Sequence, residues 1–156
     1  TVTRNQDIFT RDGIGSLIGQ TEGVLFVEMA ALSDDLTTRE ITLSNGTVND
    51  RIEIRYSSVS NRIQGLVRVE GGIIANLTFI VSDITDFSKI AIKWKLNDFS
   101  LWVDGFERDS LGIGAVPTGM NRLALDQGDG GNNMFCKVKQ LQVYKTTDID
   151  LAALTS

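Results

Sequence analysis

Between residues 51 and 103 the sequence alternates apolar and polar side chains through five successive short segments, a pattern few folds tolerate. In 51–56, Ile52, Ile54 and Tyr56 share one face while Arg51, Glu53 and Arg55 share the other. In 62–70, Ile63, Val67 and Val69 oppose Gln64, Arg68 and Glu70. In 73–81, Ala75, Leu77, Phe79 and Val81 oppose Asn76 and Thr78. In 89–95, Ile90, Ile92 and Trp94 oppose Lys93 and Lys95, and in 99–103, Leu101 and Val103 oppose Ser100 and Trp102. A strand of this period buries one side and wets the other.

Further strand candidates lie at 23–31, 40–43, 122–126 and 135–144, and only 148–154 reads as a helix, with Leu151 and Leu154 on one face and Thr146 or Thr147 as its cap. Asn45-Gly46, Gly71-Gly72 and Asn97-Asp98 mark turns, and the glycine-rich run 127–133 is short enough to be one loop. Many short strands with almost no helix predict an all-β, two-sheet antiparallel β-sandwich with one short C-terminal helix. With 156 residues, 42% of them hydrophobic and 22% charged, the chain can bury the core of a single domain spanning 1–156. It opens on Thr1 rather than Met, which reads as a domain excised from a larger protein or as a processed product.

If the five alternating segments form one meander, their polar sides make a trough of Arg51, Glu53, Arg55, Gln64, Arg68, Asn76, Lys93 and Trp102. Sugars need such a surface: hydroxyls take paired donors and acceptors, and the C–H face of a pyranose packs on a ring. Trp102 alternates with core positions, so it serves either as that ring or as packing under a loop, whereas Trp94 and Tyr56 belong to the core. The net charge of −5 argues against nucleic acid and anionic membranes and favours neutral or amino sugars, unless a local basic patch overrides the total. No apolar run is long enough for membrane insertion by a helix.

The segment KIAIKWKLNDFSLWVDG (89–105) resembles the hairpin near the end of laminin-G-like and concanavalin A-like jelly rolls, and FCKVKQLQVYKTTDIDLAALTS (135–156) resembles their closing strand and helix. With 82–86 before and the GDGGNN loop after, the wording is most similar to such domains in phage tail-fibre and virion structural proteins; the resemblance covers roughly 22–156. It implies a lectin-like jelly roll, a carbohydrate-binding adhesin or receptor-binding domain at a virion surface or outside the cell. Its partner would be a polysaccharide or cell-surface glycan, and it would oligomerise through a parent fibre. A structural, protein-interacting module of such a fibre is the rival expectation.

Enzymatic readings fare worse. With no histidine, Ser–His and Cys–His catalysis and histidine-bound zinc are excluded. Jelly-roll glycoside hydrolases carry E-x-D-x-E on one strand face, a triplet not found in this sequence. Arg51-Ile52-Glu53-Ile54-Arg55 matches the R-x-E-x-R of jelly-roll alginate lyases, but those also use a Q-I/V-H motif that this chain lacks, and alternating charges on a half-exposed strand give the same string. The single cysteine, Cys136, sits in a strand-like run and reads as a small buried residue. Oxygen-rich loops suit Ca2+, with Asp34, Asp35, Asp126 and Asp129 as candidate ligands, although Asp and Asn are equally ordinary turn residues.

Overall fold

The computed structural model describes residue 5 and residues 7–156. The described residues form, in chain order, β1 (Thr10–Arg11), a 3-10 turn (Gly15–Leu17), β2 (Glu22–Ala31), β3 (Arg39–Ser44), β4 (Arg51–Tyr56), β5 (Arg62–Val69) and β6 (Gly72–Ile80). Then follow β7 (Ser88–Lys95), β8 (Asp98–Val103), β9 (Phe106–Leu111), β10 (Arg122–Ala124), β11 (Cys136–Tyr144) and α1 (Leu151–Leu154). Two antiparallel sheets result, with strand orders β1-β10-β3-β4-β5-β6 and β11-β2-β7-β8-β9. This is the sandwich expected from the alternation. Strands β1 and β9 are additions to the nine expected.

The apolar sides of both sheets meet in one core. Leu25, Val27 and Met29 of β2, Ile90, Ile92 and Trp94 of β7, and Leu101 and Val103 of β8 face Ile41, Leu43, Ile52, Ile54 and Ile63. Trp94, Tyr56 and Cys136 are all buried, as their apolar neighbours imply. The opposite face of the five-stranded sheet carries a second cluster, in which Val24, Phe26 and Ala91 are covered by Leu151 of α1, with Trp102, Tyr144, Ile149 and Leu154 packed around them. The helix is capped by Asp150, whose carboxylate accepts from Ala153 N at 3.0 Å, and not by the expected Thr146 or Thr147.

The five-strand meander does not form. Strands β4, β5 and β6 are consecutive in the six-stranded sheet, but β7 and β8 belong to the other. The switch occurs in residues 81–87, where a tight turn would have kept the chain in one sheet. There Val81 N donates to Asn61 O at 2.9 Å, Ile84 N to Asn61 Oδ1 at 3.1 Å, and Ala31 N to Ile84 O at 2.8 Å. Buried Ile84 thus anchors a crossing that carries the chain from the edge of one sheet to the middle of the next. The hairpin turns also sit one residue earlier than expected, at 70–71 and 96–97, with Glu70 at φ 51°, Gly71 at 82° and Asn97 at 58°. Asn45-Gly46 instead opens a longer loop over 45–50.

One close approach fixes how β2 and β7 meet. Gly23 pairs with Trp94, and a Cβ there would lie 2.4 Å from the indole and 2.5 Å from Tyr144 O. Only glycine lets this indole lie flat on the strand. We therefore expect Gly23→Ala to cost about 1–3 kcal/mol of unfolding free energy in a denaturant titration. Gly112→Ala, whose Cβ would meet nothing within 4 Å, should leave the midpoint unchanged.

Candidate functional site

On the outer face of the six-stranded sheet, alternation sets Glu40, Thr42 and Ser44 of β3 beside Arg55, Glu53 and Arg51 of β4. Those in turn lie beside Gln64, Leu66 and Arg68 of β5, and Asn76 and Thr78 of β6 complete the row. An exposed face of this composition would be unremarkable, but here Glu40 and Glu53 are completely buried and Arg51 and Gln64 nearly so.

Burial forces pairing, because an isolated charge removed from water is prohibitively costly. Arg51 Nε lies 2.8 Å from Glu53 Oε2 and Arg51 Nη1 3.6 Å from Glu40 Oε2. Arg55 Nη1 lies 3.1 Å from Glu40 Oε1 and 3.2 Å from Glu53 Oε1. The Arg51–Glu53 contact is an ion pair without an aligned hydrogen bond, since neither atom has a hydrogen-bond partner. Burial, and then the neighbouring Glu40 carboxylate, push Glu53 up to about 7, against the pull of Arg51, Arg55 and Arg68.

What buries this cluster is the glycine-rich loop. Arg51 Nη1 donates to Gln127 O at 2.5 Å, Thr42 Oγ1 to Asp126 O at 2.8 Å, and Asn132 Nδ2 to Glu40 Oε1 at 3.2 Å. Glu40 N donates to Asn132 O at 3.2 Å, which ties the loop to the β3 backbone. Sequence reasoning missed Glu40 and Thr42 as members of this face, although Glu40-Ile41-Thr42-Leu43-Ser44 alternates as cleanly as 51–56. It also missed the loop as a cover.

The half of the face over β5 and β6 stays open. Arg55 Nε donates to Gln64 Oε1 at 2.7 Å, and Gln64 Nε2 donates to Asn76 Oδ1. This relay commits the Asn76 carbonyl and leaves its NH2 turned outward on an exposed side chain. Half-buried Arg68 forms no ion pair among the described residues, and its Nε has no hydrogen-bond partner. The exposed Ile73 and Ile80 flank the row on β6.

The expected eight-residue trough is therefore split. Arg51, Glu53, Arg55, Gln64, Arg68 and Asn76 share one face, with the first two and Gln64 covered. Lys93 and Trp102 lie on the outer face of the other sheet, because 81–87 changes sheets. Lys93 pairs with Asp98 at 2.6 Å, and Trp102 packs in the cluster beneath α1 with its indole N–H donating to Ser100 Oγ at 3.0 Å. That indole is packing and offers no ring to the polar row.

The proposed calcium ligands are likewise not brought together. Asp34 Oδ2 accepts from Ser60 Oγ at 2.5 Å and Asn61 N at 3.1 Å, and Asp35 pairs with Arg39 at 2.6 Å. Asp126 accepts from Gly128 N at 2.5 Å, and Asp129 from Gln127 Nε2 at 2.8 Å and Gly131 N at 3.1 Å. These carboxylates shape turns, and among the described residues no three metal-ligating acidic or cysteine side chains gather.

No protein-family model matches the sequence, and no curated protein matches it. Solved structures do share the fold. The carbohydrate-binding module CBM40 of the Ruminococcus gnavus IT-sialidase, bound to α2,3-sialyllactose, superposes with a TM-score of 0.73 at 15% identity, covering 95% of this chain and 98% of that one. The leech intramolecular trans-sialidase in complex with 2,7-anhydro-Neu5Ac gives 0.66 at 15% identity, covering 97% of this chain but 28% of that one. Sheep galectin-11 in complex with glycerol gives 0.57 at 7% identity over 91% and 99%. The chain is an all-β jelly-roll sandwich of the kind found in these lectin-like domains.

Proposed function

We propose that the chain is a non-catalytic carbohydrate-binding module that holds a carboxylated glycan across the β5–β6 half of its six-stranded sheet. The observation that carries this is the Arg55–Gln64–Asn76 relay, in which each side chain donates to the next and orients it, ending at the exposed Asn76 amide. Preorganised donors lose little freedom on binding, so a few of them suffice for recognition. Arg68 beside them makes no direct ion pair among the described residues, and its charge acts on the nearby Glu53 only at longer range. The carboxylates Glu40 and Glu53 lie under the loop, so Arg68 is the charge that the row carries on its β5–β6 half. Among the fold neighbours, the sialyllactose complex of the R. gnavus module supports an acidic sugar as ligand.

The same burial supports binding without chemistry. Glycoside hydrolysis needs two carboxylates at the scissile bond, and Glu40 and Glu53 are sealed under the loop and locked to arginines. Presentation on a virion fibre, which the resemblance of 89–105 and 135–156 implies, would set several weak sites side by side and raise avidity.

In an affinity titration we expect 3′-sialyllactose to bind weakly and lactose more weakly still. Asn76→Ala and Arg68→Ala should each reduce affinity about 5- to 30-fold, as expected for a lost hydrogen bond to a charged group or its neighbour. Trp102→Ala should leave affinity unchanged. Retention of no glycan, or unchanged binding by both β5–β6 variants, would sink the reading in favour of a protein-interacting module.

The buried cluster makes its own prediction. Native Glu53 holds its proton more tightly than the unfolded chain does, so this group stabilises the fold at acidic pH. That contribution is lost as pH rises from about 4.5 through about 7. Melting temperature should fall across this window, and Glu53→Gln should flatten the fall.

A further inference from the structure

The sandwich is closed along one side and open along the other. Edge strands β6 and β9 are tied by Thr78 N donating to Asp109 Oδ2 at 2.9 Å. Across the molecule, β1 and β10 face β11 over a gap, and a cavity of about 470 Å³ enters there between the sheets. Small-molecule sites commonly span about 300–1,000 Å³. The wall is aliphatic, made by Ile14, Leu17, Leu123, Leu141 and Val143, and Arg11 and Lys145 supply its only charges.

This wall is held in place. The Gln20 side-chain amide donates to the carbonyls of Met120 at 2.8 Å, Ile18 at 3.1 Å and Gly15 at 3.3 Å, and Ile14 N donates to Asn121 O at 3.0 Å. The 3-10 turn that carries Leu17 is thereby pinned to the chain leading into β10. Leu17 keeps 60% of its surface in water at the rim of this cavity, open to an apolar ligand.

Charge selects the occupant. Among the described residues, neither Arg11 nor Lys145 has an ion-pair partner. The acid next to Arg11 in sequence, Asp12, is taken by Arg122 at 2.5 Å, and Glu22 by Lys95 at 2.8 Å. In a chain where acids outnumber bases 20 to 15, two unpaired cations at the mouth of an apolar cavity are a local inversion. We propose that this cavity binds an amphipathic anion, an aliphatic carboxylate whose chain lies among the leucines and valine and whose head meets Arg11 and Lys145. The site is separate from the polar row on β5–β6 and does not depend on it.

Isothermal titration of the whole chain with decanoate, below its micellar concentration, tests the proposal. Saturable one-to-one binding is expected, with decanol binding less tightly. The double variant Arg11→Gln/Lys145→Gln should weaken decanoate about fivefold, since exposed charges contribute modestly, and leave decanol unchanged. Leu17→Ser should weaken both. Because Leu17, Arg11 and Lys145 are exposed, these variants should keep the wild-type melting temperature. No saturation, decanoate binding that ignores the charge substitutions, or a concentration-dependent dimer that decanoate does not dissolve would overturn the proposal, the last by assigning the groove to a second copy.

Discussion

Two buried carboxylates and two guanidiniums, one buried and one half-buried, impose a condition on everything around them on the outside of this sheet: each charge removed from water must be met by another. Glu40 and Glu53 meet Arg51 and Arg55, and the order of strands follows. β3 must lie beside β4 in the register that sets Glu40 opposite Arg55, and a one-residue slip would push Ile52 and Ile54 outward and the charges into the core. The loop over 126–133 must then close above them, because its carbonyls and the Asn132 amide serve the donors and acceptors that the ion pairs leave over.

The cluster also orders the part of the face that we propose as the binding site. Arg55 is fixed at one end by Glu40 and Glu53, so its Nε can orient Gln64, and Gln64 can orient Asn76. Order passes outward from a buried, ion-paired network to an exposed amide on the edge strand. Partly satisfied networks are costly and fully satisfied ones are rigid. Inside the cluster Arg51 Nε and both Glu53 oxygens rest on ion pairing without a hydrogen bond, and on β5 the buried Arg68 Nε lacks one as well.

Much of this was legible in period-two patterning. The two-sheet architecture, the nine principal strands and the membership of six row residues follow from which side chains share a parity. Parity says nothing about which sheet a strand joins. Residues 81–87 carry Asp and Ser like any hairpin loop, and only the burial of Ile84 and its bond to Ala31 reveal a crossing. That one ambiguity moved Lys93 and Trp102 to the wrong sheet. Strand β9 escaped notice for a different reason: FERDSL sets only Leu111 against the core and leaves Phe106 in water, so it shows no apolar alternation, although Asp104-Gly105, at φ 50° and 83°, is a hairpin signal.

The fate of Trp102 bears on what kind of recognition this surface can perform. Both outer faces of the sandwich are covered in part, one by the apolar helix α1 and one by the polar loop, and each cover matches what lies beneath it. The indole falls on the helix-covered side. Strands β3 to β6 turn their rings, Tyr56 and Phe79, toward the core side. The sugar we propose for this face would meet planar amides and guanidiniums with no aromatic plate, and stacking against the C–H face of a pyranose would contribute nothing. Hydroxyls alone gain little by exchanging water for amides. A carboxylate on the sugar gains more from Arg68 and Arg55, at the expense of salt sensitivity. The covering of a single tryptophan thus shifts the chemistry of this surface from ring stacking to charge.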